Sequence, residues 1–137
     1  MPFDPQTIPQ FSVIRIPVQL VGYTERKRFV VISHIPEHVY ALKTTSQMET
    51  FDRDPQQLKG VVVYEAAECP VFAKRTVVDP RNQFPIPYSD LIQHNQDGCY
   101  EHLGVLPLDF KQRLISAVMA SRVIELNRKK RLLLQLA

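Results

Sequence analysis

The 137-residue chain is poor in the residues that punctuate or staple small domains: four glycines, two cysteines and no tryptophan. The glycines, at positions 22, 60, 98 and 104, are too scattered for a phosphate-cradling loop, and no Gly-x-Ser-x-Gly elbow marks a serine hydrolase. Asp52, Asp54 and Glu65 read as loop or strand-end residues rather than as a carboxylate pair suited to glycoside chemistry. Cys69 and Cys99 lack the close spacing of zinc-ligand pairs, and His94, Cys99 and His102 match none of the strong zinc patterns. No metal and no cofactor are expected. No apolar run approaches the roughly 18 residues needed to cross a bilayer. The opening MPFDPQTIPQ has no secretory-signal pattern. The expectation is a cytoplasmic protein with free thiols and no membrane association.

What is present is ordinary globular composition, 45% apolar and 23% charged, at a length that suits a single domain over residues 1–137. The net charge of +3 is unevenly spread. Arg26, Lys27 and Arg28 form one basic cluster, and Arg128 to Arg131 another. Such patches suit a polyanion, although solvated charges at the ends of strands and helices produce the same pattern.

Residues 1–10 hold three prolines and read as an irregular lead-in. FSVIRIPVQL alternates, with Ser12, Ile14, Ile16, Val18 and Leu20 on one nearly apolar side, and so reads as a strand with one face toward a core. Pro17 cannot donate to a ladder and places that part of the strand at an edge or bulge. VGYTERKR is expected to be a loop, FVVIS a short strand, HIPEH a turn and VYALKTT the return strand. GVVVYE and FAKRTVVD supply two more strands, and DPRNQFPIP a turn. Five short strands joined by close turns point to a small antiparallel β-barrel or sandwich.

The last third changes character. YSDLIQHN reads as a short helix. Phe110, Leu114 and Val118 begin an apolar stripe at helical spacing, which predicts a long C-terminal helix over 108–131. Asp109 and Gln112 have the spacing of a capping box. The fold class is therefore α+β: a small antiparallel β-barrel with a long C-terminal helix. Leu132, Leu133, Leu134 and Leu136 are many apolar residues to leave in water and suggest an interface.

If Phe29 to Ser33 and Val39 to Thr45 form a hairpin, Arg28 and Thr45 project from the same rim, with Ser46 adjacent. A guanidinium there forks onto two phosphate oxygens. A hydroxyl donates to a third oxygen as charge develops. Such a rim suits RNA cleavage in which the ribose 2′-hydroxyl attacks its own phosphate. A solvated arginine at a strand start and a plain turn at Thr44 to Ser46 are the bland alternative.

RFVVIS, then ALKTTSQ, and later LGVLPLDFKQRLISAVMASRVI resemble the PemK/MazF-like toxins of bacterial type II toxin–antitoxin systems over roughly residues 10 to 127. Gly104, Leu106 and Asp109 match the segment that introduces that family's last helix, while Phe29 stands where the family usually has proline. The resemblance implies an SH3-like barrel, usually a homodimer, acting as a metal-independent endoribonuclease on single-stranded RNA and blocked by an antitoxin protein. It puts the catalytic arginine on Arg28 and the hydroxyl on Thr45, with Ser46 beside it. Arg26 and Lys27 are the expected RNA-binding residues. The general base is unassigned, His34 being a candidate. The alternative is the same barrel as a non-catalytic module that binds protein or nucleic acid.

Overall fold

A computed structural model describes residues 3–45, 62–64 and 75–120, with backbone only for 79–83. Its strands are β1 (Ser12–Leu20), β2 (Tyr23–Ile35), β3 (His38–Thr45), β4 (Val62–Tyr64), β5 (Thr76–Pro87) and β6 (Glu101–Val105). Two helices, α1 (Tyr88–Gln96) and α2 (Leu108–Ala120), flank β6 in the sequence, and a short 3-10 turn occupies Pro5–Thr7. The strands form one antiparallel sheet in the order β4-β5-β3-β2-β1-β6, curled into a half-barrel. Among the described residues the sheet stays open, with β4 and β6 at its edges.

The class is α+β, with several local corrections. The lead-in is not wholly irregular, because Asp4 caps the Pro5–Thr7 turn by accepting from the Gln6 amide at 3.0 Å. The expected loop VGYTERKR is a tight hairpin instead. Only Val21 and Gly22 turn, Gly22 at φ 81°, where a side chain would be strained. Tyr23 to Arg28 already belong to β2, a start that charged residues conceal from any hydrophobic alternation. The expected turn DPRNQFPIP is strand: β5 runs on to Pro87 beside β3, with a register shift between Leu42 and Thr44. Pro85 and Pro87 fit because β4 pairs β5 only from Thr76 to Val78. Pro17 likewise lies beyond the β1–β6 pairing, which ends at Arg15. β6 was not expected at all.

Alternation along the strands buries both faces, where one was expected. On the first face Val13, Val30, Leu42 and Val78 pack with Tyr64 and with Phe110, Leu114 and Val118 of α2. Tyr64 meets Phe110 edge-on at 5.0 Å, and its hydroxyl donates to the Phe110 carbonyl at 3.1 Å. On the second face Ile14, Ile16, Phe29, Val31 and Ala41 pack with Leu91 of α1 and Ile8 of the lead-in. Burying a side chain such as Leu114 contributes about 1.5–3 kcal/mol, so the apolar stripe of α2 fixes where that helix sits.

α2 begins at Leu108, so Asp109 lies in its first turn, where the helix dipole favours an acid, rather than at the cap. The expected continuation of the helix to 131 lies outside the described residues, as do Ser46, Cys69 and the leucine-rich tail. No helix among the described residues is long and apolar enough to cross a membrane.

Candidate nucleic-acid interface

The basic cluster does not end a strand; it extends the sheet one layer beyond the first core. β1 and β2 pair Val13 with Val30 and, two residues on, Arg15 with Arg28. β2 and β3 pair Val30 with Leu42, so Thr44 falls in the layer of Arg15 and Arg28. On β5, Val78 pairs with Thr44 after the register shift, and Thr76 lies two residues before Val78 on the same face. Val13, Val30 and Leu42 thus give way, at one end of the sheet, to Arg15, Arg28 and Thr44, with Thr76 one step further along β5. The curl of the sheet makes this polar layer a cleft of about 210 Å³, also lined by Glu25, Arg26, Lys27 and Thr45.

Four cations and one carboxylate line this cleft, and a second carboxylate, Glu101, stands beside it. Glu101 pairs with Arg15 across β1 and β6. Its Oε1 accepts from Arg26 Nη1 at 2.8 Å and from Arg15 Nη1 at 3.5 Å. Lys27 Nζ lies 3.2 Å from Glu25 Oε2. Arg28 differs from the other three, since no ion pair among the described residues involves it. Its Nε is buried with no hydrogen-bond partner among the described residues. An orphaned donor of this kind costs about 1–3 kcal/mol. Like charges directly opposite across strands, as Arg15 and Arg28 are, add roughly 0.2–1 kcal/mol. An anion lying between them would offset both costs.

The backbone of Arg28 is pinned: Thr44 Oγ1 donates to the Arg28 carbonyl at 3.0 Å. Thr44 is therefore the hydroxyl in register with Arg28, and it holds the strand that carries the guanidinium. Thr45, the expected hydroxyl, is the next residue along and also lines the cleft. Of the expected RNA-binding pair, Arg26 shares the face of Arg28, and Lys27 falls on the alternate face and reaches the rim. Both are ion-paired.

No protein-family model matches the sequence, and no curated protein matches it.

The histidines lie elsewhere. His34 Nε2 donates to the Ile8 carbonyl at 2.8 Å, which leaves Nδ1 to accept from the Tyr88 hydroxyl at 2.6 Å. That commits both nitrogens of the candidate base to holding the lead-in against α1. His38 bonds the Pro36 carbonyl, and His102 Nε2 lies 2.9 Å from the buried Ser12 Oγ. His94, Cys99 and His102 form no metal-ligand cluster among the described residues. Tyr88 and Tyr100 have raised pKa values. Burial and then Asp4 raise Tyr88, and burial alone takes Tyr100 to about 12. Both phenols pack on the second face, away from the cleft.

Sequence reasoning missed Arg15, Thr44, Thr76, Glu25 and Glu101. Arg15 left a trace, as a charge at an alternate position between Val13 and Pro17. Glu101 left none, because its strand is short and polar.

Proposed function

We propose that the cleft binds the phosphodiester backbone of single-stranded RNA and cleaves it, as expected of a PemK/MazF-like endoribonuclease toxin. The observation that carries this reading is the buried, unpartnered Nε of Arg28, in a layer where two arginines face each other. A guanidinium in that position is set for an anion with several oxygens, which a phosphodiester supplies. Arg28 binds the scissile phosphate and stabilises the charge that builds on its oxygens. Thr45 donates to the same phosphate, and Thr44 keeps the Arg28 strand in place. In the reaction the 2′-oxygen forms a bond to phosphorus and the bond from phosphorus to the 5′-oxygen breaks. A 2′,3′-cyclic phosphate and a 5′-hydroxyl result. The proton leaving the 2′-hydroxyl goes to a carboxylate, for which Glu25, the one carboxylate lining the cleft among the described residues, is the candidate. The proton gained by the 5′-oxygen comes from water or a cationic side chain. No step calls for a cofactor. The same reading brings an SH3-like barrel, a helix longer than α2, a homodimer and a blocking antitoxin protein.

A second reading, a binding module without cleavage, is favoured by one specific observation: Glu25 Oε2 is already engaged by Lys27 Nζ at 3.2 Å and so is not free to face a 2′-hydroxyl. Incubating mixed-sequence RNA with purified protein in EDTA separates the two. Cleavage by the wild type, lost in Arg28→Ala and reduced in Thr45→Ala, is the expected result. Intact RNA with a folded, RNA-binding wild type leaves the module.

A further inference from the structure

The cleft is electrostatically lopsided. In one half Arg28 has a buried donor without a partner. In the other, Arg15 and Arg26 both turn to one carboxylate oxygen, Oε1 of Glu101. Glu101 comes from β6, a strand that among the described residues pairs with β1 alone, and the register sets it beside Arg15. A carboxylate held by two guanidiniums has the charge and the acceptor geometry of a phosphate oxygen pair. The contact is also exchangeable. The side chains of Arg26 and Glu101 are 41% and 38% exposed, and ion pairs in that setting contribute only about 0–1 kcal/mol.

We propose that the cleft holds two successive phosphates of an RNA strand and that Glu101 is the internal occupant of the second position. This rests on the cleft being an RNA site. Arg28 takes one phosphate. Arg15 and Arg26 take the next only after the Glu101 carboxylate has left them for solvent. Glu101 thereby lowers affinity for RNA and spares the free protein an uncompensated cluster of arginines. No bond is made or broken; one anion replaces another on the same two cations.

The test is binding of a ten-nucleotide 2′-O-methyl oligouridylate, which cannot be cut by its own 2′-oxygen, measured by fluorescence anisotropy between 50 and 200 mM NaCl. Glu101→Gln frees both arginines and should bind about five- to tenfold tighter at the low-salt end. Its salt dependence should steepen by roughly 0.7 in log–log slope, the increment for one more phosphate contact on a single strand. Glu37→Gln makes the same change in net charge at the β2–β3 turn, at the other end of β2 from Arg28, and should change affinity less than twofold. Equal effects of Glu101→Gln and Glu37→Gln, or no effect of either, overturn the role of Glu101. Arg28→Ala tells that failure apart from a failure of the cleft itself. If Arg28→Ala binds RNA as well as the wild type, the cleft is not the RNA site and both readings fall. If it binds weakly while Glu101→Gln merely matches Glu37→Gln, only the second-phosphate assignment falls.

Discussion

Replacing Arg28 with methionine should make the free protein more stable while removing its affinity for RNA. Arg28 carries two costs that an apolar side chain of similar length does not: a buried donor with no partner and a like charge directly opposite. Their sum is about 1–4 kcal/mol on the general scale for such features. Partial hydration of a half-buried residue and repacking of the flexible thioether bring the net gain down to about 1–2 kcal/mol. The Thr44 bond survives because it reaches the backbone carbonyl, not the guanidinium. Unfolding entropy scales with length, so for a chain of this size each kcal/mol moves Tm by about 3–4 °C. Scanning calorimetry in a buffer free of phosphate and sulfate should therefore place Arg28→Met about 3–7 °C above the wild type. Adding inorganic phosphate should raise the wild-type Tm and leave the variant unmoved. A variant that melts below the wild type would refute the reasoning, since it would mean that Arg28 is satisfied in the free protein.

Two further outcomes follow from the same contacts. Thr44→Val keeps the shape of a buried residue but leaves the Arg28 carbonyl without its donor, which should cost about 1 kcal/mol and lower the Tm by a few degrees; an unchanged melting curve would show that the bond does not hold the strand. Tyr100 has a phenol that burial raises from 10.0 to about 12, so its neutral form is favoured in the folded state. That contribution is complete below about pH 10 and is lost as pH rises through 12. Denaturant titrations between pH 10 and pH 12 should show stability falling more steeply in the wild type than in Tyr100→Phe, and parallel slopes would contradict this.

Much of the sheet was legible because apolar residues alternate along it. Val39, Ala41 and Lys43 against Tyr40, Leu42 and Thr44 gave β3 and its two faces directly. The start of Leu108–Ala120 shows in its apolar spacing, and YSDLIQHN reads as a short helix with Ser89 near its start. The misses have two causes: polar residues doing the work of strands, and prolines that make the end of β5 read as a turn. Tyr23 to Arg28 reads as a loop because charge hides the period of two. β6 reads as nothing because Glu101, His102 and Gly104 interrupt it. The cleft inherits both omissions. Arg28 could be picked out as the residue where charge meets the apolar run. The rim argument points to Thr45 as its partner hydroxyl, although the alternation that puts Leu42 in the core puts Thr44 beside Arg28. Arg15 and Glu101 needed the β1–β6 register, which joins residues 86 apart in sequence and leaves no local trace.

The prolines bear on how this protein meets copies of itself. Open sheets invite another chain to add a strand, and the row of amide donors along an unpaired edge is what guides it. Among the described residues, the stretch of β1 beyond its pairing with β6 carries Pro17, and the stretch of β5 beyond β4 carries Pro85 and Pro87. A strand arriving at either place finds carbonyls but gaps in the donors, so a regular ladder cannot propagate. The prolines on these edges thereby keep them from seeding fibrous aggregates.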